Sequence, residues 1–186
     1  MATKYTKDEN EIIEKAILFL VTEYEKTGSN EKPVIFHSLR VACKLVEVGA
    51  SATIVTAAIL HDLIEDTNVD FERIKNIFGS DVAKLVDAVS FKPNIVDKEE
   101  RYKEMFERTK NAGTDALKIK CADILDNSSY YSFGLDQEHE KRLINKLKYF
   151  LFIAEPQLDD FPLFQLLNER YQTLLTQFNN DNKKPI

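Results

Sequence analysis

The sequence has few residues that interrupt helices and few that form covalent cross-links. It contains 5 glycines and 5 prolines among 186 residues, which leaves few points at which a helix must end. Its only cysteines, Cys43 and Cys121, lie within apolar helical patterns and lack CxxC spacing. We therefore expect two buried free thiols in a reducing cytoplasm, with neither a disulfide nor a metal-binding role.

Long apolar runs and an excess of positive charge are also absent. No apolar segment approaches the roughly 18 residues of a membrane span, and the N-terminus leads directly into charged residues. We therefore expect no membrane partner and no signal peptide. The formal net charge of −6 argues against a nucleic-acid-binding surface, which would be basic. A small anionic substrate stays compatible with that charge if a metal ion and local lysines bind it. The oligomeric state is left open.

Helical periodicity is present along most of the chain. We predict an all-α protein with a single domain over residues 1–186, a core over about 8–178 and a polar, frayed tail over 179–186. Apolar spacing and capping signals predict helices over 8–26, 34–48, 51–66, 71–78, 81–90, 97–110, 116–127, 137–154 and 161–178.

Residues 57–66 begin as an apolar helix and end in a cluster of polar groups. Helical spacing places four side chains on one arc of about 140°, namely His61, Asp62, Glu65 and Asp66. Three carboxylates near a helix C-terminus are disfavoured by the helix dipole, and holding them together without a cation is costly. This pattern favours a metal site over the alternative of solvated acids beside a semi-buried histidine.

Further ligands must come from other helices, and His37 and Asp123 are the candidates, although His37 in isolation is more typical of a core or capping histidine. Two imidazoles and two carboxylates suit one borderline divalent ion such as Mn²⁺, Fe²⁺ or Zn²⁺. The third histidine of the chain, His139, lies in a charged helical segment and is predicted to be at the surface. We therefore expect no second metal site rich in histidine.

This order of ligands, H…HD…D, resembles that of the HD superfamily of metal-dependent phosphohydrolases. Four segments, 36–42, 57–67, 77–89 and 117–127, are similar to the hydrolase domain of RelA/SpoT-type alarmone enzymes. The most specific elements are the HD followed by ED and a stretch similar to K-x-A-D-x-x-x-N. The resemblance runs from about Ile12 to Phe178. It implies an HD-domain helical bundle with the metal site between central helices, and a stand-alone small alarmone hydrolase.

The resemblance also implies roles for individual residues. The implied ligands of one divalent ion, Mn²⁺ as first choice, are His37, His61, Asp62 and Asp123. Glu65 and Asp66 would orient or deprotonate the attacking water. Asn127 would contact the nucleotide sugar, and Tyr149 would border the pocket.

The chain departs from the family in the residues that bind the base and the phosphates. The loop over 26–33 lacks the family's arginine, and Asn127 is followed by Ser-Ser-Tyr where the family often has an arginine. Positive charge could come from Lys26, Lys32 and Lys120. A ring could come from Tyr130 or Tyr149. We expect pyrophosphate release from (p)ppGpp or a related 3′-phosphorylated nucleotide, with loose base selection because stacking on a ring discriminates poorly between bases.

Three alternatives compete with this hypothesis. An HD-type 5′-nucleotidase or another nucleotide phosphohydrolase would keep the metal ligands but could dispense with Glu65 and Asp66. A non-catalytic nucleotide-binding HD module is less favoured because the ligand and acid sets are both intact. A structural protein with a coincidental HD pair would require four ordered motifs to be accidental.

Overall fold

The computed structural model describes residues 5–27, 33–92, 94–130 and 136–181. Across these residues the chain forms helices and no strand, so the all-α prediction is confirmed. The helices are α1 (Lys7–Thr27), α2 (Val34–Glu47), α3 (Ala52–Leu60), α4 (Leu63–Asp66), α5 (Phe71–Phe78), α6 (Ser80–Val89), α7 (Lys98–Ala112), α8 (Thr114–Ser128), α9 (Gln137–Leu158) and α10 (Pro162–Asp181).

Helix α3 lies at the centre of the bundle. Its sequence is apolar around its whole circumference, and eight of its nine residues are buried. Helices α1, α2, α6 and α8 surround it. Ser51 begins the helix, because its side chain accepts a hydrogen bond from the Ile54 N–H. The C-terminal end of this buried helix consequently projects His61 into the middle of the fold, where that residue is 1% exposed.

The predicted continuous helix over 51–66 is wrong, because a turn at His61 and Asp62 separates α3 from α4. The His61 carbonyl accepts a hydrogen bond from the Ser90 hydroxyl at 3.1 Å. The Glu65 N–H instead donates to the Asp62 carbonyl at 3.1 Å, three residues back. A side chain that is distant in sequence thus binds the carbonyl that a regular helix would use, and the helical ladder is interrupted between the two metal-site segments.

Three smaller predictions also differ from the structure. Helix α9 continues through Pro156 to Leu158, whereas the prediction ended it at residue 154. The N–H that Pro156 lacks would have bonded to the carbonyl of Phe152, whose side chain is 74% exposed, so water can reach that side of the helix. Helix α10 extends to Asp181, into the predicted tail. Cys43 is exposed rather than buried, because it lies on the outer side of α2, while Cys121 is buried as predicted.

Within the described residues, none of the helices has both the length and the apolar composition that crossing a membrane requires.

Candidate metal centre

Three side chains from separate helical segments converge beside the end of α3. His37 on α2, His61 after α3 and Asp123 on α8 each offer a ligand atom, and these atoms lie within 4.8 Å of one another. Asp123 Oδ1 is 3.3 Å from His37 Nε2 and 3.8 Å from His61 Nε2. His61 and Asp123 are buried and His37 is half-buried, so His37 is the most exposed of the three.

Asp62 faces the same two imidazole nitrogens. Its Oδ1 lies 3.1 Å from His61 Nε2, and its Oδ2 lies 3.8 Å from His37 Nε2. The turn that follows α3 produces this position, because it directs the carboxylate back towards the histidine that precedes it. Asp62 is not one of the three residues in the compact group, and its role as the fourth ligand stays a prediction.

The hydrogen bonds of the two histidines leave Nε2 of each ring directed at the cluster. His61 Nδ1 lies 2.8 Å from the Ala58 carbonyl, and His37 Nδ1 lies 2.8 Å from Asp126 Oδ2. Both partners can only accept, so each Nδ1 carries the hydrogen. His61 Nε2 is buried and forms no hydrogen bond among the described residues, although Asp62 Oδ1 lies 3.1 Å from it. A buried ring nitrogen between carboxylates fits a divalent cation, and the mixed nitrogen and oxygen donors suit a borderline metal.

The charges around His61 also favour a cation. Burial by itself would lower the pKa of His61, but Asp62 and Asp123 outweigh burial and hold the pKa well above its usual value. Burial would raise the pKa of Asp123, whereas Lys120 and the two histidines hold it well below its usual range. A metal ion would take the place of the proton that this environment attracts, so metal binding would release protons.

Asp126, which was not predicted as a site residue, orients His37. This aspartate is 2% exposed. It also accepts hydrogen bonds from Arg40 Nη2 at 2.6 Å and from Lys44 Nζ at 2.9 Å. Burial would raise the pKa of Asp126, but Arg40, Lys44 and His37 hold it well below its usual range. A carboxylate on the far ring nitrogen of a histidine fixes both its tautomer and its orientation.

Two residues predicted to bind substrate contact Asp123 directly. Lys120 Nζ donates to Asp123 Oδ2 at 2.9 Å, and Asn127 Nδ2 donates to Asp123 Oδ1 at 2.6 Å. Their spacing of three and four residues along α8 places all three side chains on one face. Lys120 and Asn127 therefore border the cluster, in agreement with the i, i+4 pattern of the sequence.

The two predicted catalytic acids lie at the rim, outside the group of three. Glu65 Oε1 accepts a hydrogen bond from the Phe91 N–H at 2.7 Å, and Asp66 Oδ2 accepts one from the Tyr24 hydroxyl at 3.0 Å. Both acids retain solvent exposure. Burial of its carboxyl group raises the pKa of Glu65 to about 7, although Lys120 opposes the rise. Glu65 can consequently exchange a proton near neutral pH.

The remaining predicted substrate residues have other neighbours. Lys26 pairs with Glu23 at 2.7 Å. The Tyr149 hydroxyl donates to Glu107 at 2.7 Å. Tyr130 is exposed, and its ring centroid lies 5.2 Å from the guanidinium carbon of Arg40, which links it to the Asp126 network. Lys32 lies outside the described residues, and His139 is exposed as predicted. The roles of Lys26, Lys32, Tyr130 and Tyr149 stay predictions.

The chain is similar to a known protein family and to several known proteins. The profile described as "HD domain" matches residues 16–122. A guanosine-3′,5′-bis(diphosphate) 3′-pyrophosphohydrolase of Aquifex aeolicus is 36% identical over 172 residues, which cover 87% of the chain and 24% of that protein. The Drosophila melanogaster protein of the same name, MESH1, is 36% identical over 108 residues, which cover 56% of the chain and 59% of that protein. The chain thus spans about a quarter of the Aquifex relative.

A solved structure also resembles the whole bundle. A metazoan orthologue of SpoT, described as hydrolysing ppGpp, superposes with a TM-score of 0.76 at 25% sequence identity. The similarity covers 92% of this chain and 98% of the other. A protein of Listeria monocytogenes superposes with a TM-score of 0.64 at 24% identity, which supports the fold alone.

Proposed function

The chain belongs to the HD domain family, and we propose that it is a metal-dependent phosphohydrolase that releases pyrophosphate from (p)ppGpp or a related 3′-phosphorylated nucleotide. The family predicted from the motifs is thereby confirmed. The observation that carries the proposal is the convergence of His37, His61 and Asp123 beside an acid whose pKa is near neutral. The names of the relatives support the substrate. Because the chain spans only part of the curated relatives, the activity itself is the proposal.

The HD family implies a divalent metal ion, and the cluster fits one. We propose His37, His61, Asp62 and Asp123 as its ligands and Mn²⁺ as its identity. When bound, such an ion lowers the pKa of a water and polarises a phosphoryl oxygen. The two imidazoles contribute through their Nε2 atoms, and Asp126 holds His37 in the orientation that this requires.

The chemistry that the chain itself contributes is proton transfer at the rim. Glu65 accepts a proton from the attacking water, whose oxygen forms a bond to the phosphorus next to the ribose 3′ oxygen. The bond from that phosphorus to the ribose oxygen breaks, and the ribose oxygen takes up the proton from Glu65. The Phe91 N–H holds one oxygen of Glu65, which leaves its other oxygen for this transfer. The Tyr24 hydroxyl donates a hydrogen bond to Asp66, the residue next to Glu65, and orients its carboxylate. The products are GDP or GTP and pyrophosphate.

The residues around Asp123 position the substrate in this proposal. Asn127 contacts the sugar, and Lys120 contributes positive charge near the reacting phosphate. The exposed ring of Tyr130 offers a surface on which a base can stack, next to Arg40. We expect loose base selection, and comparison of kcat/KM for ppGpp with that for its adenine counterpart measures it. A strong preference for guanine would contradict this part of the proposal.

The decisive experiment measures pyrophosphate release from ppGpp with Mn²⁺ and with a chelator. We expect activity only with the metal, and a loss of about 100-fold or more in Glu65→Gln, the scale of lost acid–base catalysis. Glu72→Gln is the matched control, because Glu72 lies on the exposed surface of α5 and pairs with Lys75. Phosphate release from 5′-nucleotides without activity on ppGpp would favour the 5′-nucleotidase. Nucleotide binding without turnover would favour the non-catalytic module.

We also propose a cytoplasmic location, since both cysteines are free thiols, which a reducing compartment maintains. A single domain over the whole chain is part of the same proposal.

A further inference from the structure

Two aromatic side chains form a wall next to the metal centre. Phe91 follows α6 and Tyr102 lies on α7, and their rings meet edge to face with centroids 4.9 Å apart. The backbone N–H of Phe91 is the group that binds Glu65. Both rings are half-buried, so part of the wall is accessible to solvent.

Three cations from three helices lie against this wall. Arg101 of α7 is 4.8 Å and Lys120 of α8 is 6.0 Å from the centroid of Phe91. Lys146 of α9 is 3.9 Å from the centroid of Tyr102. Lys120 is the member of this group that contacts the metal centre, through its hydrogen bond to Asp123. The wall therefore connects the metal centre to two further cations, Arg101 and Lys146.

Those two further cations form no direct ion pair among the described residues. Arg101 Nε is buried without a hydrogen bond, and the Lys146 ammonium has neither a hydrogen bond nor an ion pair in the described part of the chain. Partial burial of a cation without an ion pair destabilises the folded state, and contact with a ring face offsets only about 0.5–2 kcal/mol of that cost. Burial lowers the pKa of Lys146 to about 8, although Asp123 and Glu65 oppose the fall, and most of the ammonium is still charged at pH 7. The two positive groups thus lack a direct ion-pair partner among the described residues, and the negative charges that act on Lys146 are those of Asp123 and Glu65 at the site itself.

We infer that Arg101 and Lys146 bind a phosphate group of the substrate other than the one that reacts. The inference rests on the proposed function for the identity of the substrate as a nucleotide. The reacting phosphate must reach the metal ligands, whereas Arg101 and Lys146 contact the aromatic wall and form no hydrogen bond with those ligands among the described residues. Arg101 and Lys146 lie against two rings whose centroids are 4.9 Å apart, and a guanidinium and an ammonium can together bind one phosphate.

This assignment accounts for a departure of the chain from its family. The arginines that the family carries before the first ligand and after the asparagine are missing here. Positive charge from α7 and α9 supplies the same kind of group from a different part of the bundle. Two phosphates of (p)ppGpp satisfy the chemistry, namely the outer phosphate of the 3′ chain and the 5′-diphosphate.

The two products of the proposed reaction distinguish these phosphates, because each carries one of them. Binding of inorganic pyrophosphate and of GDP to the Mn²⁺-loaded protein is measured by calorimetry for Lys146→Met and Arg101→Met. Methionine keeps an apolar chain against the ring and removes the charge. We expect each variant to bind one product about tenfold more weakly, the effect of losing a hydrogen bond to a charged group. The product that is weakened identifies the phosphate. Lys148→Met, at an exposed position of α9, should bind both products normally.

Thermal unfolding separates a binding role from a structural one. If Lys146 is held for a ligand, Lys146→Met should leave Tm unchanged or raise it, because an unpaired half-buried charge is removed. A lower Tm with both product affinities unchanged would overturn the inference, as would failure of the wild-type protein to bind either product. Hydrolysis of ppGpp with wild-type product affinities in both variants would overturn this inference and leave the proposed function intact. Weakened product binding in the variants, without hydrolysis of ppGpp by the wild-type protein, would support this inference and contradict the proposed function.

Discussion

Replacing Asp126 by asparagine tests how the structure prepares His37 for a metal. Asparagine has nearly the same shape and retains one acceptor oxygen for the His37 ring. It carries no charge, and its amide hydrogens point towards donors on Arg40 or Lys44, which also need an acceptor. The substitution therefore weakens the restraint on His37 without opening a cavity.

The size of the effect follows from the exposure of the partners. A hydrogen bond to a charged group contributes about 1.5–3 kcal/mol when it is buried. The side chains of Arg40 and Lys44 are 22% and 28% exposed, so water can replace some of the hydrogen bonds that they lose to Asp126. We expect a total loss of about 2 kcal/mol in the free energy of unfolding. We expect metal affinity to fall about 10- to 100-fold, as it does when the partner of a ligating histidine is removed.

The assay combines urea unfolding of the metal-free protein with a competition titration against a chelator of known Mn²⁺ affinity. Asp115→Asn is the matched control, since Asp115 lies on the same helix and pairs with Lys118 at an exposed site. The variant at Asp126 should change both quantities, and the control should change neither by a measurable amount. Metal affinity of Asp126→Asn within twofold of the wild type would refute the role that we assign to this residue.

Three further predictions concern proton binding, the metal and the thiols. Because the pKa of Glu65 is raised to about 7, the folded metal-free protein binds more protons than the unfolded chain above the usual carboxyl pKa and up to that value. The free energy of unfolding should therefore fall as the pH rises through this range, and urea titrations at several pH values should show a smaller fall in Glu65→Gln. A chelator should lower the Tm of the wild type but not that of His61→Ala, since bound metal stabilises the folded state; equal ion content in the two proteins would contradict the ligand assignment. A thiol reagent should modify Cys43 in the native protein and Cys121 only after unfolding, because burial raises the pKa of the Cys121 thiol and blocks access to it; two reactive thiols in the native protein would contradict this.

The sequence was sufficient to predict the all-α fold class and the three residues of the compact cluster, His37, His61 and Asp123. Helical periodicity depends on local spacing, and the apolar character of α3 required neighbours on every side. The order of His37, His61 and Asp123 indicated a common site through its resemblance to the H…HD…D pattern, and the donor types suit a borderline metal. Asn127 beside Asp123 followed from their spacing on one helix.

The remaining features depend on contacts between residues that are distant in sequence. The break after α3 depends on the Ser90 hydroxyl, which lies 29 residues away from the carbonyl that it binds. The role of Asp126 depends on the docking of α2 against α8, which places Arg40 and Lys44 around it. Cys43 has apolar neighbours in the chain but lies on the outer face of α2. Neither periodicity nor composition identifies which face of one helix meets a given face of another.

The wide separation of His37, His61 and Asp123 along the chain has a consequence for how the protein folds. Chain segments that are far apart must close long loops before they meet, so the complete ligand set forms only after α2, α3 and α8 have docked. Interactions that form after the folding transition state alter the unfolding rate rather than the folding rate. A bound ion should accordingly leave the refolding rate nearly unchanged and slow unfolding. The bound metal ion should then increase the kinetic stability of the folded protein, because it slows unfolding without speeding the docking of the helices.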